Sequence, residues 1–321
     1  MNIRLTQIDG ALPNLALMKL AHWHKARGDQ VHVTRSIQPE LFEPAYDRVY
    51  GSAIFSFSAD RLQRFESQWP GAIVGGTGTM SAASVEDITG DHEGIDYEGH
   101  DVDYSIGFTQ RGCRLKCRFC VVPGKEGRNR GVATIAEIWR GAPHPRKLNL
   151  LDNDFFGNPD WRARVDEIRA GKFKVCLSQG INVRLIDEDA AGALASIQYR
   201  NTRFNERRLY TAWDNLRDEK VFFKGVDLLE RAGIPAKHLM AYMLIGYDPL
   251  ETWPRLWHRF RRMVERGIDP YPMVYDRRRA DLLCFQRWVI TGLYRHVPWP
   301  EYQRETKSAA SVAGYHAAVA S

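Results

Sequence analysis

Cysteine is scarce in this chain of 321 residues, with five in all. Long apolar runs are missing too: no stretch approaches the ~20 residues that cross a bilayer, so a membrane-spanning protein is not expected. The opening MNIRLTQIDG lacks the apolar core of a secretory leader. A cytoplasmic location is therefore expected, where thiols stay reduced. There a tight cysteine group points to metal binding or catalysis rather than to disulfides. Neither sign of charge dominates, since 45 Lys and Arg face 39 Asp and Glu, a formal net charge of +6. That surplus is compatible with a polyanionic partner without requiring one. What is present, 44% hydrophobic and 26% charged residues, fits a globular protein of one large or two smaller domains, at ~150 residues per domain.

Residues 1–90 read as a small Rossmann-like α/β domain. IRLTQI (3–8), VHVTRSI (31–37), a segment within YDRVYGSAIFSF (46–57) and AIVGG (72–76) have strand character, and PNLALMKLAHWHKARG (13–28) has helical spacing between Pro13 and Gly28. His22 and His24 are read as ordinary residues of that helix, with no metal role. The polar stretch 81–100 reads as a linker. From 91 to 297 strands alternate with helices. The strands are 103–109, 147–151, 173–178, 208–213, 238–245 and 271–275, and helices are expected at 132–141, 159–171, 187–196, 219–232, 251–266 and 280–296. Six such units predict a parallel sheet closed as a partial (β/α)6 TIM-like barrel. Residues 298–321 are an Ala-rich tail, either a helix or a frayed end.

In a parallel α/β sheet ligands gather beyond the carboxyl ends of the strands. The polar residues at those exits are Asp152, Asn153 and Asp154, then Gln179, Asn182 and Arg184, then Asp214 and Asn215, then Gly246 to Asp248 with Glu251, then Asp276 and Arg277. Turn chemistry supplies some of them, yet together they read as the lining of one pocket. At the first exit lies GCRLKCRFCVV (112–122), which holds Cys113, Cys117 and Cys120. A structural zinc site takes four ligands, usually as two pairs. Here the spacing is C-x3-C-x2-C with no fourth ligand nearby, and Cys176 and Cys284 read as small buried hydrophobes. Three thiolates on an iron–sulfur cluster would leave one iron open, the mark of a catalytic rather than a closed site.

CRLKCRFC, with Phe119 before its last cysteine, resembles the cluster loop of radical S-adenosylmethionine enzymes, and the likeness extends over about 103–296. The phrases AWD, YMLIGYD and FQRWV further resemble small radical enzymes of phages and anaerobes. The resemblance implies a 4Fe–4S cluster on the three cysteines, with S-adenosylmethionine on the fourth iron. One electron then cleaves the sulfonium, and the 5′-deoxyadenosyl radical takes hydrogen from a substrate. It implies cofactor contacts at Asp152, Asn153 and Asp154 (methionine amino group, although the usual Gly-Gly-Glu is absent), at Asp214 (ribose or carboxylate) and at the backbone of Ile245 and Gly246 (adenine). Phe119, Gln179, Asn182 and Arg184 complete the expected cofactor surface. A flavodoxin- or ferredoxin-type protein is the implied electron donor.

AIVGGTGT (72–79) resembles a cut-down cobalamin-binding domain, but the Asp-x-His-x-x-Gly run is missing and cobalamin is not expected. Gly75, Gly76 and Gly78 read instead as a tight turn after a buried strand. Arg200, Arg203, Arg207 and Arg208 suggest a nucleotide, modified base or nucleic acid as substrate, with a peptide or small metabolite as the alternative. A second basic stretch, 259–267 with 276–281, reads as a solvated face or a phosphate-contacting one. The rival functions are a cobalamin-dependent radical methyltransferase and a metal-stapled nucleic-acid-binding protein without catalysis.

Overall fold

The computed structural model describes residues 1–81, 83–92, 94–303 and 308–320. The chain forms two compact units, Met1–Val102 and Asp103–Ser321. Both are α/β with parallel sheets. Among the described residues no helix is long and apolar enough to cross a membrane.

The first unit runs β1 (Asn2–Gln7), α1 (Leu15–Lys25), β2 (Gln30–Thr34), β3 (Arg48–Ser52), α2 (Ala59–Gln68), β4 (Ile73–Gly75) and α3 (Glu86–Thr89). Its sheet has the parallel order β2-β1-β3-β4. Asn14 caps α1 by accepting the Leu17 N–H at 3.2 Å, and Gly28 at φ +80° ends it. The buried face of α1, Leu17, Leu20 and Ala21, meets Ile3, Leu5 and Tyr50 of the sheet. His24 is fully buried and bonded to Asp29 (2.6 Å) and Tyr50 (3.2 Å), an ordinary core histidine.

The stretch expected as a linker is instead part of this unit. Val85 and Ile88 pack on its core, the Asp96 N–H reaches Met18 O, and Lys25 pairs with Asp96 and Glu98. Two apolar residues at helical spacing do this, inside a composition that otherwise reads as loop. Gly78 donates to Ala53 O, and a Cβ there would come within 2.6 Å of the Phe55 backbone. Close packing of chain on chain thus accounts for this glycine.

The second unit contains β5 (Ser105–Gly107), a hairpin of β6 (Gln110–Arg111) and β7 (Arg130–Gly131) with α4 (Val122–Lys125) in its loop, α5 (Ile135–Ile138), β8 (Lys147–Leu150), α6 (Trp161–Ala170), β9 (Lys174–Leu177), α7 (Glu188–Ala195), β10 (Gln198–Tyr199), β11 (Leu209–Ala212), α8 (Glu219–Arg231), β12 (Leu239–Ile245), α9 (Trp253–Glu265), β13 (Asp269–Val274), α10 (Ala280–Ile290), α11 (Trp299–Tyr302) and α12 (Ala309–Ala320). The sheets run β10-β9-β8-β5 and β11-β12-β13, all parallel, and the Ile181 N–H bonds Tyr210 O at 2.7 Å just beyond β9. Leu148, Leu150, Val175, Leu177, Ala241, Met243 and Ile245 join the helices in one core. The helix expected over 132–141 shrinks to a single capped turn, Thr134 and Glu137 forming a capping box. The Ala-rich tail forms a helix whose Gly314 lies against Trp253 and Trp257 of α9, and the Trp257 indole donates to Ser311 O at 3.0 Å.

Candidate metal centre at the carboxyl edge

The three cysteines lie between β6 and β7, beyond the carboxyl end of β5. Cys113 and Cys117 are half-buried and Cys120 is exposed. Gly112, at φ +80°, turns the chain into the loop, where a Cβ would come within 2.6 Å of the Arg128 backbone. The Cys120 N–H bonds Cys117 O at 3.0 Å, and the Leu115 N–H points at Cys113 Sγ at 3.4 Å. Burial pushes the Cys113 and Cys120 thiols up, reinforced for Cys113 by Asp154 and the other two thiols.

Residues after β8 hold this loop. Asp154, 1% exposed, accepts the Arg114 N–H (3.1 Å) and the guanidinium Nε and Nη2 (2.7 and 2.9 Å), a bidentate pair. The amide of Asn153 donates to Glu126 Oε2 at 3.0 Å, and the same oxygen accepts the Gly112 N–H at 2.9 Å. Asp152 is 3% exposed and accepts the N–H groups of Thr109 (2.7 Å) and Gln110 (3.1 Å) and the Thr109 hydroxyl. Burial pushes its carboxyl up to about 7 against these three donors. The three residues expected to meet a methionine amino group are thus already engaged as supports of the cysteine loop.

Other strand exits converge on the same loop. Arg184, after β9, donates to Cys117 Sγ at 3.7 Å and to Asp218 Oδ2 at 2.7 Å. Asp214, after β11, receives the Leu244 N–H at 3.0 Å; burial raises its carboxyl, and its charge is felt at Cys120. The Phe119 ring packs edge-on to Tyr247 with centroids 5.4 Å apart, and Tyr247 packs edge-on to Tyr275 at 4.9 Å. Gln179 is exposed and Asn182 half-buried, and among the described residues their side chains make no hydrogen bond. The backbone expected to meet adenine is committed internally: Ile245 O accepts the Tyr275 N–H at 3.0 Å, and the Gly246 N–H donates to Glu251 at 2.9 Å. Arg259, fully buried, holds Glu251, Trp213 O and Leu244 O. It is neither a solvated nor a phosphate-facing residue.

Sequence reasoning did not find Glu126, Arg114, Gln110 or Asp218. Glu126 lies six residues past the last cysteine with no motif to mark it. Gln110 looks like any turn residue, yet its side-chain amide bonds Gly112 O at 2.7 Å and Asn129. Cys176 is fully buried on β9, its thiol pushed up to about 12 by burial, and Cys284 sits on α10 against the core.

Of the arginines proposed for substrate, Arg203, Arg207 and Arg208 lie in the segment that enters β11, at the opposite edge, and Arg200 directly follows β10. Arg203 and Arg208 line a cavity of about 190 Å³ with Asn201, Tyr210 and Met240, where β11 and β12 begin. A segment leading into a parallel strand must lie at its amino end, and the cysteines lie at carboxyl ends.

The three sulfurs do not crowd onto a single point. Among the described residues, the one group of His, Cys, Asp or Glu ligand atoms all within 4.8 Å of one another is elsewhere. No protein-family model and no curated protein matches the chain.

Proposed function

We propose that this chain is a radical S-adenosylmethionine enzyme whose Cys113, Cys117 and Cys120 hold a 4Fe–4S cluster. The observation that carries the reading is the convergence on one C-x3-C-x2-C loop of side chains from several strand exits, with three soft donors and no fourth cysteine in the loop. The donor set fits the cluster: thiolates are its ligands, and the loop offers three of them. When bound, the cluster would supply the electron that cleaves the sulfonium of S-adenosylmethionine.

The chain's own residues have three tasks in this reading. Asp154 and Glu126 fix the loop through Arg114 and Gly112. Arg184 donates to a ligand sulfur and, with the unpartnered Gln179 and Asn182, presents polar groups to the cofactor. Phe119, Tyr247 and the exposed Tyr275 form an edge-to-face aromatic row that flanks the loop. A partial (β/α)6 barrel is the matching fold. In support, the parallel sheets β10-β9-β8-β5 and β11-β12-β13 are bridged by the Ile181–Tyr210 hydrogen bond. Exposed Lys116 and Arg118 flank the cysteines, which suits an acidic electron donor of the flavodoxin or ferredoxin type. With the arginines at the far edge, a nucleotide substrate loses its support, and no substrate class is assigned.

Anaerobic reconstitution with iron and sulfide, followed by reduction with S-adenosylmethionine, tests the proposal. The expected product is 5′-deoxyadenosine; intact cofactor after reduction of a loaded cluster would overturn it.

A further inference from the structure

The first unit carries a ligand set that the cysteine centre does not use. Among the described residues, His32, Glu40 and Glu43 are the group whose ligand atoms all lie within 4.8 Å of one another. His32 stands on edge strand β2, in register with Arg4 on β1, and its Nε2 is 3.5 Å from Glu43 Oε1. Glu40 and Glu43 come from the loop that follows β2.

Each carboxylate is oriented by an outer donor, as metal-binding carboxylates commonly are. Thr34, two residues beyond His32 on the same strand, donates its hydroxyl to Glu40 Oε1 at 3.2 Å. Arg4 is fully buried. It donates Nη1 to Glu43 Oε1, and Nη2 to the carbonyls of Ser36 and Gln38 at 2.9 and 3.0 Å, so it fixes the loop as well as the carboxylate.

A second observation is independent of the clustering. The Glu43 side chain is only 9% exposed, and its Oε2 is buried with no hydrogen-bond partner. A buried carboxylate oxygen without a hydrogen-bond donor is costly. Arg4 neutralises one carboxylate of the pair, which leaves one uncompensated negative charge beside a half-exposed imidazole.

We propose that His32, Glu40 and Glu43 bind a divalent transition-metal cation of the zinc type, with one imidazole nitrogen, two carboxylate oxygens and a position open to water. The imidazole argues for zinc or its neighbours over magnesium or calcium, which take oxygen ligands. Bound there, the ion fastens the 35–47 loop to the β1–β2 edge. Nothing in this depends on the chemistry of the cysteine loop.

The test uses the full chain with Cys113, Cys117 and Cys120 replaced by Ala, so that zinc cannot report on thiolates. Calorimetric titration with Zn²⁺ should show one equivalent bound, with a raised thermal midpoint. His32→Ala and Glu40→Gln, both at exposed residues, should each weaken binding at least tenfold. Glu43→Gln is not used, because it would leave Arg4 buried without its counter-charge. If the triple variant folds poorly, wild-type chain with alkylated thiols takes its place, titrated with Co²⁺. Visible d–d bands without thiolate charge transfer would support the site. Zinc binding unchanged by both substitutions, or no zinc bound, would overturn it.

Discussion

The carboxyl and amino edges of the second unit's strands carry charge in different ways. At the carboxyl edge Asp152 and Asp154 are almost fully buried, and each accepts three hydrogen bonds from the cysteine loop or its base. At the amino edge Arg208 and Arg295 share Asp269, Arg207 lies over the Tyr199 ring at 6.0 Å, and Arg200 turns back onto Tyr199 O at 2.8 Å. Buried carboxylates are tolerated only where donors surround them, so they report a geometry that the fold enforces. The exposed Arg295–Asp269 pair reports little, being worth about 0–1 kcal/mol. Composition draws attention to the arginines, whereas the geometry draws it to the aspartates.

The contrast can be broken by substitution, and the largest effect is expected at the cysteines. Replacing Cys113, Cys117 and Cys120 together by Ala should take bound iron from about four per chain to none while the far-ultraviolet circular dichroism is kept. Asp154→Ala removes three charge-assisted hydrogen bonds and should cost about 2–3 kcal/mol in urea unfolding, with reduced iron incorporation. Arg203→Ala at the other edge should stay within about 0.5 kcal/mol; equal losses at both edges would erase the distinction.

Arg184→Met removes a donor to the Cys117 sulfur and, on the proposed reading, should leave iron content unchanged. Hydrogen bonds to the sulfurs favour the reduced cluster, so potentiometry should show a fall of roughly 60 mV, the equivalent of one tenfold change for a one-electron couple.

The smallest effect concerns pH. The Asp152 carboxyl rises from 3.8 to about 7 on folding, so the folded chain holds this proton more tightly than the unfolded chain does. Its contribution to stability is full below pH 4, declines as pH rises toward 7, and levels off above. Asp152→Asn should flatten that slope in thermal melts between pH 5 and 7.5; an unchanged slope would assign it to other groups.

Strand positions were readable from short, mostly apolar runs. KLNLL, FKVCLS and HLMAYMLI sit within a residue or so of β8, β9 and β12, because buried parallel strands are apolar on both faces. The three cysteines were visible as a group, and they lie beyond the carboxyl end of β5. What escaped was non-local. Nothing near Glu126 announces that its carboxylate will meet Gly112 and Asn153, and nothing in LLDND says that Asp152 faces Thr109 while Asp154 faces Arg114. The packing of 81–100 escaped because Val85 and Ile88 are two apolar residues among many polar ones. The charge of the arginines is visible in the sequence, and the edge they occupy is not.

The most direct measurement is electron paramagnetic resonance on anaerobically reconstituted, reduced protein, with and without S-adenosylmethionine. The account predicts a 4Fe–4S signal that changes shape when the cofactor is added, since one iron has no protein ligand. A signal indifferent to the cofactor, or stoichiometric zinc with no cluster, would contradict it and make the cysteine loop a structural staple.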